Sequence, residues 1–186
     1  MDSIKILVNE HDNILRMLDV VHHALLKILN DSYIDTNDFK NIVNFIRIYA
    51  DKIHHGKEED YIFKAMVDNL GQIGENLVNH GMMVEHNIAR LYVADIETAI
   101  NAYEDTPNDE AKLALIIATG SYEQLLRRHI QKENEVVFPF CERSLSPESI
   151  SWVEDEVANF ENNETNTIER SHQLAILDQL EKKYIS

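Results

Sequence analysis

Apolar residues recur at spacings of three and four along most of this chain, which is the pattern of amphipathic α-helices. The pattern predicts four long helices and two shorter ones, over about residues 3–30, 37–69, 78–104, 109–138, 147–161 and 166–184. No alternating pattern that would favour a β-strand competes with them. Four long helices with short connections predict an all-α, up-down-up-down four-helix bundle, with the last two helices packed on its outside.

Turn and capping residues indicate where the predicted helices begin and end. Side chains able to cap a helix start occur at Asp2 or Ser3, Thr36, Asn108 and Ser146, the last followed by Pro147. Residues 30–36, NDSYIDT, are the predicted turn between the first two helices, and the glycines of LGQIGENL predict a loop over 70–77. Pro139 predicts either the end of the fourth helix or a kink in it.

The first helix carries two histidines within its apolar stripe. Its predicted inner face consists of Leu7, His11, Leu15, Leu18, His22, Leu25 and Leu29. His22 lies three turns from His11, about 16 Å along the helix axis. We therefore interpret His22 as a hydrogen-bonded core histidine and not as part of a site shared with His11.

Composition and charge narrow the classes of partner. The chain has 186 residues and a formal net charge of −16, from 33 acidic and 17 basic residues. Such a surface repels phosphate backbones and anionic membranes, so we expect neither nucleic acid nor a membrane as a partner. No apolar run reaches the roughly 20 residues of a membrane span. Without a recognisable export signal, and with Cys141 unable to form an internal disulfide, we expect a cytoplasmic protein.

Two stretches of the chain, HHGKEEDYIF at 54–63 and HIQKENEVVF at 129–138, repeat one pattern 75 residues apart. The same shift aligns Glu10 with Glu85, His11 with His86, His54 with His129, Lys57 with Lys132, Glu58 with Glu133, Asp60 with Glu135 and Phe63 with Phe138. No gap is needed across either pair of helices. The first two long helices and the next two are therefore interpreted as copies of one helix hairpin, related by an approximate two-fold axis.

The shared shift also decides which of two adjacent histidines belongs to the pattern. His54 aligns with His129, whereas His55 aligns with Ile130. On an α-helix, His55 would face about 100° away from His54. We therefore choose His54 with Glu58 as the functional pair, and we expect the His55→Ala variant to lose little of its bound metal.

Residues four apart on a helix share one face, so the pattern aims four imidazoles and two carboxylates into the bundle. The six residues are His11, His54, Glu58, His86, His129 and Glu133. Burying such groups without a partner costs several kcal/mol for each ionised carboxylate, and a bound metal removes that cost. Nitrogen and oxygen donors without a thiolate suit iron, manganese or zinc. The two-fold pattern suggests two metals, with each glutamate able to bridge them.

These motifs resemble the hemerythrin-like family, also called the HHE cation-binding domain. HHGKEEDYIF resembles the second-helix signature of that family and HIQKENEVVFP the fourth, while EHDNIL and MMVEHNIAR resemble its first- and third-helix segments. The resemblance covers roughly residues 4–143. It implies a bundle over residues 1–143 with a di-iron site, and a C-terminal helical extension over 144–186 like that of prokaryotic members.

The resemblance implies that the same six residues are the iron ligands, with one departure. Oxygen-carrying hemerythrins have a further histidine one turn before the third-helix one, and here that position is Met82. The departure puts reversible oxygen carriage in doubt. Tyr49 and His55 are the candidates for an extra ligand or for a residue that supports the ligands.

The family resemblance leads to a non-haem di-iron protein that binds or reacts with dioxygen, peroxide or nitric oxide. Two alternatives stay open at this point. One is an enzyme that consumes peroxide at the same centre, in the manner of a catalase or peroxidase. The other is a module for iron or redox sensing, or for iron storage and repair.

Overall fold

The computed structural model describes residues 1–31 and 34–185, and this part of the chain is helical almost throughout and contains no strand. The α-helices are α1 (Asp2–Asp31), α2 (Thr36–Phe45), α3 (Lys64–Leu77), α4 (Met83–Asp105), α5 (Asp109–Lys132), α6 (Phe138–Ser144), α7 (Pro147–Glu161) and α8 (Glu164–Tyr184). π-Helical segments connect several of them, over Ile46–His55, Glu58–Phe63, Val78–Met82 and Glu133–Val137. The predicted all-α class is confirmed.

Four long helical rods form the bundle. The first bundle helix is α1, and the second runs from α2 through two π-helical segments into α3 as far as Gly71. The third runs from the rest of α3 through Val78–Met82 into α4, and the fourth runs from α5 through Glu133–Val137 to α6. The third rod packs along the fourth and against α2, and α1 packs against α5 and against Ile46–His55. Each rod therefore has neighbours on two sides, as a four-helix bundle requires.

Several helix ends differ from the predicted ones. Asp35, not Thr36, caps α2, because its carboxylate accepts a hydrogen bond from the Asp38 backbone N–H. Residues 70–77 are helical on both sides of a kink at Gly71 and do not form a loop. The fourth bundle helix continues through Pro139 to Ser144, since the preceding π-helical turn already departs from the α-helical hydrogen-bond ladder. Residues 32 and 33 of the predicted turn lie outside the described residues.

Other predicted helix starts agree with the structure. The Asn108 side chain accepts from the Ala111 N–H at 2.8 Å, and Ser146 accepts from the Ser149 N–H at 3.2 Å. These two caps begin α5 and α7 as predicted.

The buried face of α1 is rotated from the predicted stripe. Ile14, Met17 and Val21 are buried, whereas the His22 side chain is 53% exposed and lies 3.4 Å from a Glu123 carboxylate oxygen. Successive steps of four residues advance by about 40° around the helix, so a stripe drawn mainly in such steps drifts away from the core. The interpretation of His22 as a core histidine is therefore wrong.

Two apolar clusters fill the bundle, and a polar layer separates them. The larger cluster contains Ile14 and Phe45, and the smaller one contains Phe63, Phe138 and Val153. In each bundle helix the predicted site residues fall between members of the two clusters. A polar site in such a layer has no contact with bulk water, so its groups depend on one another or on a ligand.

The last two helices pack on the bundle. Helix α8 contacts α1, α2 and the Ile46–His55 segment, while α7 contacts α1 and α3. Glu154 on α7 accepts hydrogen bonds from the Ser3 backbone N–H at 3.1 Å and from the Ser3 hydroxyl at 3.0 Å. This carboxylate satisfies a free N–H at the start of α1 and ties α7 to it.

Within residues 1–31 and 34–185, no helix combines the length and apolar character that crossing a membrane requires.

The reversal between the second and third bundle helices depends on Gly71. Its backbone angles are φ 58° and ψ −143°, a conformation in which a side chain is strained, although a Cβ would meet no atom within 4 Å. We expect Gly71→Ala to lower the free energy of unfolding by about 1–3 kcal/mol.

The matched control is Gly120→Ala within α5, where a Cβ makes an ordinary contact and alanine favours the helix by up to about 1 kcal/mol. Urea unfolding followed by far-ultraviolet circular dichroism measures both, and equal effects would contradict the assignment.

Candidate metal centre

The structure brings the six predicted residues together in the polar layer. His11 comes from α1, His54 and Glu58 from the second bundle helix, His86 from α4, and His129 with Glu133 from the fourth bundle helix. All six side chains are buried. Each bundle helix therefore contributes at least one donor, and the predicted convergence on one point of the core is what the structure shows.

Glu58 and Glu133 each reach histidines of both halves of the repeat. One Glu58 carboxylate oxygen lies 3.4 Å from His54 Nε2, and the other lies 3.7 Å from His86 Nε2. One Glu133 oxygen lies 3.1 Å from His129 Nε2, and the other lies 3.2 Å from His11 Nε2. Each carboxylate thus presents one oxygen to its own half and one to the other half, which is the disposition of a bridging carboxylate.

The outward-facing nitrogen of each predicted histidine is held by an oxygen acceptor. His54 Nδ1 donates to Glu10 at 3.0 Å and His129 Nδ1 donates to Glu85 at 3.0 Å. Likewise, His11 Nδ1 donates to the Asn134 side-chain oxygen at 2.8 Å, and His86 Nδ1 donates to Glu59 at 2.6 Å. Such bonds leave Nε2 as the nitrogen that faces the centre, where His86 Nε2 and His129 Nε2 lie 3.0 Å apart.

Glu10, Glu85, Lys57 and Lys132 support the histidines and follow the 75-residue repeat. Lys57 donates to Glu10 behind His54, and Lys132 donates to Glu85 behind His129. The sequence shift had aligned these residues, but sequence reasoning assigned them no role. The signal in the sequence was that these charged neighbours of the candidate ligands follow the same 75-residue shift as the ligands.

His55 does not face away from the centre. Its ring is buried and stacks on the His86 ring, with centroids 3.8 Å apart and planes inclined by 15°. The predicted 100° separation from His54 assumed an α-helix, whereas both residues lie in a π-helical segment, whose wider turn allows neighbouring side chains to face the same region. The prediction that His55 points elsewhere is therefore wrong.

Tyr49, the other candidate for an extra ligand, lies outside the cluster. Its hydroxyl accepts a hydrogen bond from Asn13 Nδ2 at 2.9 Å, and it stacks on Phe45 with ring centroids 4.8 Å apart. Burial raises the pKa of Tyr49 to about 12, which keeps the phenol neutral at ordinary pH. Tyr49 therefore packs in the core, with its hydroxyl engaged by Asn13.

Five of the inward-facing atoms lack partners of their own. Both oxygens of Glu58, both oxygens of Glu133 and His11 Nε2 are buried and have no hydrogen-bond partner of suitable geometry. Burial and the negative charge of Glu133 raise the pKa of Glu58 well above its ordinary value. Native proteins rarely leave buried polar atoms in this condition, so five such atoms around one point indicate a ligand.

The donor set fits metal ions. One group consists of His11, His54, Glu58 and Glu133, with donor atoms all within 4.8 Å of one another, and a second consists of His55, Glu58, His86 and His129. Burial lowers the pKa of His54 and of His55, so both imidazoles are in the neutral form that binds a metal. Nitrogen and carboxylate donors without sulfur suit iron, manganese or zinc. Two adjoining groups that share Glu58 fit a pair of ions.

Aromatic rings shield the centre from bulk water. Phe138 stacks on His11 with ring centroids 5.6 Å apart, and Phe63 lies against His86 at 5.7 Å. Both phenylalanines are buried, and they are partners in the 75-residue repeat. The repeat therefore extends from the candidate ligands to the walls around them.

A comparison with protein families supports the same assignment of a metal site. The family model of the hemerythrin HHE cation binding domain matches residues 2–141, which is most of the chain. No significant match was found among curated proteins or among solved structures.

Glu58 offers a test of the metal centre in which metal-free and metal-loaded protein respond oppositely. The raised pKa of Glu58 in the metal-free fold means that its contribution favours folding at low pH, and this contribution is lost as the pH rises above 4.5. Glu58→Gln removes the free-energy cost of burying an ionised carboxylate at this position. We therefore expect the metal-free variant to melt at or above the wild-type temperature near neutral pH, with the difference growing as pH rises.

Metal-loaded Glu58→Gln should instead lose stability relative to the loaded wild type. Each tenfold loss of metal affinity removes about 1.4 kcal/mol of the stabilisation that binding supplies. Glu123→Gln is the matched control, because Glu123 is buried but accepts from Arg127 outside the centre, and its effect should not depend on metal. Thermal unfolding with and without a chelator measures all three proteins, and a metal response in Glu58→Gln equal to that of wild type would refute the site.

Proposed function

Because the chain belongs to the hemerythrin HHE cation binding domain family, we propose that it is a non-haem di-iron protein that binds or reacts with dioxygen, peroxide or nitric oxide. The observation that carries the proposal is the pair of buried carboxylates, Glu58 and Glu133, each presenting its two oxygens to two different sets of histidines. One metal would leave one oxygen of each carboxylate without a partner. Two metals would satisfy all four.

The number of donors leaves room for a small ligand. Two six-coordinate ions offer about twelve positions. The four predicted histidines and the two bridging glutamates supply eight donor atoms, so some positions are left for a bridging oxygen and for an external molecule. When bound, an iron pair with open positions supplies redox chemistry toward small oxidants.

The protein's own residues keep the donors in place and keep water out. Glu10, Glu59, Glu85 and Asn134 hold the outer nitrogens of the histidines, which prevents the rings from rotating. Phe63 and Phe138 cover the rings of His86 and His11. A preorganised site of this kind does not have to rearrange its ligands when an ion binds.

A small cavity lies next to His55. Its volume is about 10 Å³, and its lining includes His55, Asp51, Arg90 and Tyr122. That volume holds about one water molecule. None of the six predicted ligands lines this cavity, so it reaches the donor cluster only at His55.

The proposal is tested by loading the metal-free protein with ferrous iron under anaerobic conditions. We expect two irons per chain by metal analysis, and an oxo-bridged charge-transfer band that forms with air or peroxide and bleaches on reduction. His54→Ala should lose at least one metal per chain, because it removes a nitrogen donor. His22→Ala, an exposed histidine outside the centre, is the control and should keep both.

The outcomes of this experiment separate the candidate functions. A stoichiometric spectral change with dioxygen, peroxide or nitric oxide supports the proposal. Sustained consumption of added peroxide with release of oxygen would assign a peroxide-consuming enzyme instead. A colourless protein that holds stoichiometric zinc and does not bind iron would overturn the di-iron assignment.

A further inference from the structure

We propose that His55 is a ligand of the metal held by His86 and His129, so that the two metal positions are unequal. One ion then has three imidazoles, and the ion at His11 and His54 has two. This inference rests on the proposed di-iron function and specifies how its site is built. It departs from the pattern of the repeat, which supplies two histidines to each half.

The first support is the position of the ring. The donor atoms of His55, Glu58, His86 and His129 lie within 4.8 Å of one another. The His55 ring stacks on His86 at 3.8 Å and stands nearly perpendicular to His129, with centroids 6.0 Å apart and planes inclined by 81°. The group that contains His55 therefore meets the same 4.8 Å limit as the group that contains His11 and His54.

The second support is the hydrogen bond on the far side of the ring. His55 Nδ1 donates a hydrogen bond to the Asp51 carboxylate at 3.3 Å. His11, His54, His86 and His129 show the same arrangement, an outer Nδ1–H bonded to an oxygen acceptor and an inner Nε2 facing the carboxylates. His22 and His23, which lie outside the centre, are not buried. His55 therefore shares the outer hydrogen bond of the predicted ligands.

The third support is the way in which the acceptor of His55 is held. Arg90 donates to Asp51 through Nε at 2.9 Å and through a terminal nitrogen at 2.7 Å. The same guanidinium donates to Glu59, the acceptor of His86, at 2.7 Å. One arginine therefore orients the carboxylates behind both His55 and His86, which couples the two rings in a single network.

The fourth support is the absence of any counterpart in the other half. The repeat aligns His55 with Ile130, a buried apolar residue, so no nitrogen is available at the equivalent position. The third helix offers buried Met82 one turn before His86 and no second histidine there. A nitrogen from the second helix takes the place that the third helix leaves unfilled. The open coordination positions should therefore lie mainly at the His11 and His54 ion.

The test uses His55→Gln, which keeps an amide that can donate to Asp51 but removes the imidazole. With iron-loaded wild type we expect two Mössbauer environments of equal area. In His55→Gln we expect one environment to change and the affinity for one of the two irons to fall by at least about tenfold. Competition with a chromophoric chelator measures the affinities, so the readout does not depend on activity.

Asp51→Asn provides a second variant that leaves every proposed ligand present. It weakens the bond that orients His55, and we expect a smaller loss of affinity for the same iron with the same Mössbauer environment affected. Tyr49→Phe is the matched control, because Tyr49 is buried on the same helix and its hydroxyl is hydrogen-bonded to Asn13, which is not a proposed ligand. Circular dichroism confirms the fold of each variant, and Asp51→Asn decides the question if His55→Gln does not fold.

The outcomes separate this inference from the proposed function. Two irons with unchanged spectra and affinities in both His55→Gln and Asp51→Asn would overturn the role of His55 and leave the di-iron function standing. Failure of the wild type to hold two irons would overturn both. A change in Tyr49→Phe that matched the change in His55→Gln would also contradict the assignment.

Discussion

The contact between two buried carboxylates at the centre of the bundle is the constraint on which the rest of the structure depends. Glu58 and Glu133 bring four oxygens into a region closed to water, and none of the four has a hydrogen-bond partner. Such a pair of ionised groups is strongly unfavourable unless a positive charge lies between the two groups or one of them takes up a proton. The apolar clusters on either side, the histidines and the outer acceptors are arranged around the place where that charge belongs.

Much of this centre follows from local geometry and is therefore predictable. His54 and Glu58 are one turn apart, and the repeat places His129 and Glu133 in the same relation on another helix. Periodicity cannot show where α-helical winding gives way to π-helical winding, because that change depends on packing of the whole rod. His55 was misplaced for this reason.

Other differences from the predicted fold come from tertiary contacts. The stripe on α1 placed His22 in the core, but the neighbouring helices bury Ile14, Met17 and Val21 instead. The roles of Glu10 and Lys57 were also hidden, since a charged residue on a helix is usually solvated. Only the folded bundle shows that these charges meet behind a histidine.

Packing of the C-terminal extension makes the two repeated halves unequal. Lys57 is fully buried, because Glu161 on α7 accepts from it at 2.6 Å and is itself bonded to Arg170 on α8. Its repeat partner Lys132 is 48% exposed and borders a surface groove of about 770 Å³. The covered half is the one that carries His11 and His54. On the proposed assignment this half holds the ion with two imidazoles, and the extension would shield that ion from bulk water.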